Sequence, residues 1–320
     1  MTQFITRAYN SFQIDSSNLS AVIKKSSEKR LLDEINYYTN LPFQLQPFFP
    51  RMFWNQIIEG DYQMSLEYYA YQNVGNKMID QSFDEKFWNS FFIVIEKYFD
   101  VYKKFTQHQT SSEDCRDMFI NKTEREYKNL VDKFEFFNQL KNEDHIVLNG
   151  EKLANFHVIW PKIKKHIENN YLESPSYLTH GDFCFSNILF GENEITKDVI
   201  LKFIDPRGSF GNSSHGDLYY DLAKLSHSCN GGYEYFITDN FEINWEGINF
   251  VLDYKNFNKS NVKKVFDTFV TQNGYDITKV QILEGTIFIG MCARHYDSSK
   301  RQIAMYLTGL KILNDIYETI

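Results

Sequence analysis

Leu178–Asn187 reads LTHGDFCFSN and runs straight into the apolar Ile188-Leu189-Phe190. A surface loop would not need the burial that this run implies. A core strand would not tolerate Asp182 without a partner. The stretch therefore predicts chemistry at the mouth of a strand, and the residues around it must say which chemistry.

Downstream lie the polar Gly191–Asp198 (GENEITKD) and a second strand-like run, Val199–Asp205 (VILKFID). Folding the first run antiparallel on the second, through that eight-residue connection, sets Phe190 near Asp198 or Val199. Asn187 and Asp205 then meet at the open end, fed by the loop that carries Asp182. Two carboxylates, an amide oxygen and a histidine converge. Hard oxygen ligands of this kind suit Mg²⁺, which binds through one or two carboxylates plus substrate phosphates. A carboxylate outside the metal shell can accept a proton. Phosphoryl transfer needs both functions.

HGDFCFSN (His180–Asn187) with IDPRG (Ile204–Gly208) resembles the catalytic and metal-binding segments of the aminoglycoside phosphotransferase and choline kinase superfamily, a relative of the protein kinases. The resemblance implies an α+β, bilobal, protein-kinase-like fold: a small antiparallel-sheet N-terminal lobe and a larger, mostly helical C-terminal lobe. It implies ATP and Mg²⁺ as cofactors and a small-molecule hydroxyl acceptor. Asp182 would orient and deprotonate that hydroxyl, and His180 would brace the loop. Asn187 and Asp205 would hold the metal. AVIKK (Ala21–Lys25) resembles the kinase V-A-I-K strand and offers Lys24 to the phosphates. Glu34 on the following helix would hold it, with Lys25 as the alternative if the register slips by one. Met64–Tyr69, with Glu67, would form the inter-lobe hinge, whose backbone pairs with adenine. Arg207 would reach a phosphate or pair with a local acid, and Asp221 would support the catalytic loop.

The pattern also departs from that family. Phe4–Ser20 contains no glycine, which leaves Asn10 and Ser11 to cover the phosphates. Asp205-Pro206 stands where protein kinases have D-F-G, and Pro206 fixes the backbone against a mobile switch. With no A-P-E element either, no protein substrate is expected.

Composition agrees with a globular enzyme. The 320 residues are 42% hydrophobic and 17% aromatic, ample for a core, and the charge of −8 excludes a basic nucleic-acid binder. Cys115, Cys184, Cys229 and Cys292 are dispersed, as reduced thiols are, and Cys184 reads as a buried filler. Met1–Asn10 lacks the apolar core of a signal peptide. The runs FFIVI and TIFIGMCA are too short to span a membrane, so a cytoplasmic protein is expected.

Apolar spacing predicts helices over Leu31–Tyr38, Phe87–Tyr102, Glu124–Leu140, Leu153–Tyr171, Val262–Gln272 and Arg301–Tyr317, with Pro161 starting or kinking one of them. Strands are expected at Phe4–Ala8, around Ala21–Lys25 and from Asp61 onward. The helical part carries one hairpin. The character changes near Gln72, giving a nucleotide-binding lobe over 1–72 and a catalytic and acceptor lobe over 73–320. GDLYYDLAKLSHS (Gly216–Ser228) reads as a helix flanked by Asp221. Arg294, His295 and Asp297 line an acceptor pocket or cap a helix. Tyr219, Tyr220, Tyr233, Tyr235 and Trp245 invite a cation–π box for choline, although packing explains such rings equally well.

The expected activity is ATP- and Mg²⁺-dependent phosphorylation of a sugar, polyol or amino-alcohol such as choline. IDPRGSFG with GDLYYDLAKLSH resembles superfamily members associated with capsule or lipopolysaccharide assembly. The competing reading is a non-catalytic ATP-binding regulator or scaffold of that assembly.

Overall fold

A computed structural model of the chain describes residues 11–14, 20–80, 83–108, 112–193, 195–196, 198–209, 213–254 and 259–320. The expected strand Phe4–Ala8 and the phosphate-covering Asn10 lie outside them. Ser11 opens the first described strand and is exposed.

The N-terminal part is an antiparallel sheet in the order β1-β2-β4-β3: β1 Ser11–Ile14, β2 Ala21–Ser26, β3 Met52–Ile58 and β4 Asp61–Glu67. On β2 the strand period of two buries Lys24 and leaves Lys25 on the other face, paired with Asp61 at 2.8 Å. Helix α1 Lys29–Asn40 buries Leu31, Glu34, Ile35 and Tyr38. Strand β3 was not expected from the sequence. Most of it is exposed, including both Ile57 and Ile58, so the alternation that marks a half-buried strand is missing. Its turn, Glu59-Gly60, has positive φ at both residues, as a tight two-residue hairpin requires.

The remainder is mostly helical. It opens with β5 Gln72–Asn73, α2 Val74–Ile79, α3 Glu85–Thr106 and α4 Ser112–Arg116. The stretch expected as one helix over Glu124–Leu140 is two, α5 Lys122–Lys133 and α6 Glu135–Leu140, because Phe134 takes an extended conformation (φ −124°, ψ 113°). Next come β6 His145–Leu148, β7 Glu151–Ala154 and α7 Phe156–Asn170. Leu153 thus belongs to a strand. Asn155 caps α7 by accepting from the Phe156 N–H, so Pro161 lies inside the helix and does not start it.

After β8 Ser176–Tyr177 the chain forms the hairpin β9 Ile188–Glu192 and β10 Val199–Phe203. Then follow β11 Gly216–Asp217, α8 Leu218–Cys229, α9 Tyr233–Ile237, β12 Phe241–Glu246 and β13 Asn249–Tyr254. Helices α10 Lys259–Gln272, α11 Ile277–Met291 and α12 Ser299–Tyr317 complete the chain.

The hairpin β9–β10 is not alone. A second sheet, in the order β12-β13-β6-β7, sits among the helices. Its signals were present in the sequence: Asn149-Gly150 forms the β6–β7 turn with positive φ at both residues, and Phe241 and Ile243 alternate with exposed Glu242 and Asn244.

One apolar cluster joins α1 and β4 to α3 and the β9–β10 hairpin, through Leu31, Met64, Tyr98, Phe183 and Phe203. A second surrounds α11 and α12, which approach closely at Gly285 and Gly309. A Cβ on Gly309 would stand 2.8 Å from the Gly285 carbonyl oxygen. All four cysteines are free and buried. Among the described residues no helix is long and apolar enough to cross a membrane.

Candidate active site

The His180–Asp182 loop is held from beneath. Asp221, fully buried in the first turn of α8, accepts the backbone N–H of His180 at 2.9 Å and of Gly181 at 2.7 Å. Burial pushes the Asp221 carboxyl up to about 7, against those two hydrogen bonds. The His180 ring, equally buried, donates from Nε2 to the Ile204 carbonyl (3.1 Å) and accepts the Asp182 N–H at Nδ1 (3.3 Å). These partners select one neutral tautomer. Burial draws the imidazole down to about 4, so it stays uncharged at neutral pH. Phe49, Tyr37 and Phe183 surround it. His180 ties the loop to the residue before Asp205.

The hairpin brings its outer ends together, with a longer pairing than expected. Phe203 faces Ile188 and Val199 faces Glu192, so β9 runs two residues past Phe190, and Phe190 pairs with Leu201. Beyond the last pair, the Ile204 N–H donates to the Asn187 carbonyl at 3.0 Å, and Asp205 follows with a left-handed φ of 57°. The Asn187 amide donates from Nδ2 to the Asp182 carbonyl at 2.8 Å. That bond leaves Oδ1 as its unengaged donor atom. Gly208 fixes the way out: its φ is 76°, and a Cβ there would lie 2.1 Å from the Asp33 carbonyl oxygen on α1. Ser209 adds a 2.7 Å hydrogen bond to the Asp33 side chain.

Lys24 lies between two carboxylates, with Nζ 2.6 Å from Glu34 Oε2 and 2.6 Å from Asp205 Oδ1. Lys24 and Glu34 are buried, while the Asp205 side chain keeps 41% exposure. Burial works against the Lys24 ammonium, but Glu34 and Asp205 outweigh it and hold it protonated. Burial also opposes ionisation of Asp205, and the Lys24 charge and hydrogen bond overcome this and lower its pKa. For Glu34 burial wins and raises the carboxyl. Its Oε1 is buried with no hydrogen-bond partner among the described residues.

Asp182 has two differently furnished sides. Oδ2 looks toward Arg30 of α1, 3.8 Å away, and Oδ1 toward buried Lys224 of α8, 3.0 Å away. Sequence reasoning missed both cations. Lys224 had a signal: it follows Asp221 by three residues on a helix with no exposed position from Leu218 to Cys229, and a lysine there needs an anion. Tyr220, one turn before Lys224, accepts a hydrogen bond from Lys122 at the start of α5. The Arg207 N–H donates to the His180 carbonyl at 2.7 Å, and Arg294 holds Glu126 at 2.8 Å.

Glu67 ends β4, where the hinge was expected, and its carboxylate accepts from the Tyr69 hydroxyl at 2.8 Å. Asp297 pairs with Arg301, and Ser298 caps α12. Trp245 is 40% exposed on β12, against Phe136. Burial pushes the Cys184 thiol up to about 12, which rules it out as a nucleophile.

The donor set suits Mg²⁺. Asp205 Oδ2 and Asn187 Oδ1 are hard oxygens at one end of one hairpin, and Asp205 stays ionised. Among the described residues there is no ready-made cluster of three or more His, Cys, Asp or Glu for a metal.

No protein-family model and no curated protein matches the chain. Solved structures do. Over 99% of its length the chain is similar to the GDP complex of a mutant of aminoglycoside 2'-phosphotransferase-IIIa, covering 90% of that chain at 12% identity with a TM-score of 0.55. Over 93% it is similar to the apo form of a thermostable mutant of aminoglycoside phosphotransferase APH(4)-Ia, covering 87% of that chain at 9% identity with a TM-score of 0.50. At such identities the likeness concerns the backbone: the fold is the bilobal, kinase-like α+β fold of the aminoglycoside phosphotransferases.

Proposed function

We propose that this protein is an ATP- and Mg²⁺-dependent small-molecule kinase, with a nucleotide-binding lobe over 1–72 and a catalytic and acceptor lobe over 73–320. The observation that carries the reading is Lys24 lying 2.6 Å from both Glu34 and Asp205, beside the braced loop of Asp182. In this reading Lys24 grips the nucleotide phosphates and Glu34 holds it in place. Asn187 and Asp205 hold Mg²⁺, which when bound neutralises the phosphate oxygens. The backbone at the end of β4, next to Glu67, meets the base.

Asp182 receives the proton of the acceptor hydroxyl as that oxygen bonds to the γ-phosphorus. The bond from phosphorus to the bridging oxygen breaks, and ADP leaves with its electron pair. Neutral His180 positions the loop without touching substrate.

For the acceptor we favour a sugar or polyol of surface-polysaccharide assembly over choline. Three of the five rings offered for a quaternary ammonium already face a lysine. Lys122 lies 4.6 Å from the Tyr220 ring centroid, Lys279 4.3 Å from that of Tyr219 and Lys224 5.9 Å from that of Tyr233.

The test is Mg²⁺-dependent formation of ADP from ATP, or GDP from GTP, over a panel of sugars, polyols and amino-alcohols. Acceptor-stimulated turnover that disappears in Asp182→Ala is the expected result. Nucleotide binding without turnover would place the chain with regulators or scaffolds. Turnover that survives Asp182→Ala would refute the base.

A further inference from the structure

We infer that the acceptor carries an anionic group, phosphate or carboxylate, close to the hydroxyl that is phosphorylated, and that Lys122, Lys224, Arg207 and Arg294 seat it on the Oδ1 side of Asp182. The inference rests on the kinase reading above and specifies its substrate class.

The four cations come from four separate segments. Lys224, buried on α8, touches Asp182 Oδ1 at 3.0 Å. One turn earlier on the same helix, Tyr220 takes its hydrogen bond from Lys122. Arg207 is pinned by its backbone to His180, two residues from Asp182. Arg294 comes from the turn after α11, held by Glu126. Nearby, Asp221 is engaged by the backbone N–H groups of His180 and Gly181, and Oε1 of Glu234 by the Ser186 N–H and the Ser228 hydroxyl.

The weakest match in this group is Lys122, whose hydrogen-bond partner is a phenol and not a carboxylate. Burial draws its ammonium down to about 8, and Arg207 and Lys224 push the same way. The Tyr220 phenol is drawn down to about 8 although burial alone would raise it, because Lys122, Lys224 and Arg207 surround it. Lys224 is buried and Lys122 half-buried, and holding their like charges around one phenol is costly unless an anion joins them. In a chain of net charge −8 this local reversal of sign stands out.

The transferring phosphate does not account for the cluster. The nucleotide side has its own cations, Lys24 and Arg30, and Arg30 faces the other oxygen of Asp182. A polycationic aminoglycoside or a quaternary ammonium would be repelled from the Lys122–Lys224 face. A phosphate or carboxylate would gain charge-assisted hydrogen bonds there.

The experiment is initial-rate kinetics of the full chain with MgATP on matched probes: glycerol and glycerol 3-phosphate, ribitol and ribitol 5-phosphate, glucose, glucose 6-phosphate and glucuronate, with kanamycin and choline. At least one anionic member should exceed its neutral parent about tenfold or more in kcat/KM. The phosphate and carboxylate arms tell the two anions apart. Lys122→Gln should raise the KM of the anionic acceptor about tenfold and leave the KM for ATP unchanged. Arg294→Gln, at a more exposed position, should act in the same direction, with folding checked by Tm. Equal or better use of neutral or cationic acceptors would overturn the inference and leave the kinase reading standing. A chain that neither binds MgATP nor turns over any probe would overturn both. A Lys122→Gln effect confined to the KM for ATP would assign the cluster to the nucleotide.

Discussion

The two sides of Asp182 are built in different ways. Toward Oδ2 lies Arg30 of α1, the helix whose Glu34 shares Lys24 with Asp205, and with Asn187 these parts come from one short hairpin, one strand and one helix. Toward Oδ1 lies a cluster drawn from α5, α8, the loop after β10 and the turn after α11. The first side is mixed in sign and internally paired. The second gathers four cations, of which Lys224 and Arg294 hold the carboxylates of Asp182 and Glu126 while Lys122 meets only a phenol. In the proposed reading one side takes a metal and a nucleotide, and the other takes an anionic group of the acceptor.

The largest expected effect breaks both sides at once. Asp182→Asn should lower kcat about 10³-fold, within the range for losing a general base, with little change in the KM for ATP. An equal loss in KM for both substrates would mean that the loop had collapsed and that Asp182 has no special place between the sides. Asp205→Asn should act on the nucleotide side alone, weakening the Mg²⁺ requirement curve by about 100-fold or more while leaving the ratio of anionic to neutral acceptor rates unchanged.

Gly208→Ala probes how the two sides are joined. The new Cβ meets the Asp33 carbonyl at 2.1 Å in a backbone that disfavours side chains. The expected loss is about 1–3 kcal/mol in urea unfolding, with the KM for ATP raised through displacement of Asp205. Unchanged stability would show that α1 and the Asp205 loop can separate freely.

A fourth test concerns the floor of the site. Burial pushes the Glu234 carboxyl from 4.5 up to about 7. The folded state then holds a proton that the unfolded state has released between those values, so stability falls as pH rises through that window and levels off above it. Glu234→Gln should flatten that slope, by an amount on the order of 1–3 kcal/mol between pH 5 and 7.5, in chemical denaturation at the two pH values. The smallest effect is expected at Lys25, the neighbour of Lys24 on the opposite face of β2. Lys25→Ala removes an exposed pair with Asp61 and should leave kinetics and Tm within error. A kinetic effect at Lys25 comparable with that at Lys24 would undo the distinction between the two faces of the strand.

The same contrast explains what could be read from the sequence. His180, Asp182, Asn187 and Asp205 lie within one loop and one hairpin, where strand pairing converts spacing into proximity, and the structure brings them together. Lys24 and Glu34 meet because strand period and helix period each bury one charged residue, and two buried opposite charges seek each other. The basic cluster was not legible, because no local period relates Lys122 to Tyr220 or Arg207 to Arg294; only packing of helices far apart in the chain does so. The sheet β12-β13-β6-β7 was missed for another reason. Its strands are short and one-sided, only Leu153 and Ala154 of β7 fall within an expected helix, and the rest lie between helical periodicities, although Asn149-Gly150 announced a hairpin. At the expected hinge the reading concerned the backbone beside Glu67, and the Glu67 carboxylate itself accepts from the Tyr69 hydroxyl.

The central claim is that Asn187 and Asp205 hold a single divalent ion against a bound triphosphate next to Asp182. Electron paramagnetic resonance titration of Mn²⁺ with ATP tests it without any acceptor. The wild-type chain should bind the Mn²⁺–ATP pair at one site, and Asn187→Ala and Asp205→Asn should each weaken metal binding while Asp182→Asn does not. Mn²⁺–ATP binding of equal strength in the wild type, Asn187→Ala and Asp205→Asn would contradict the account.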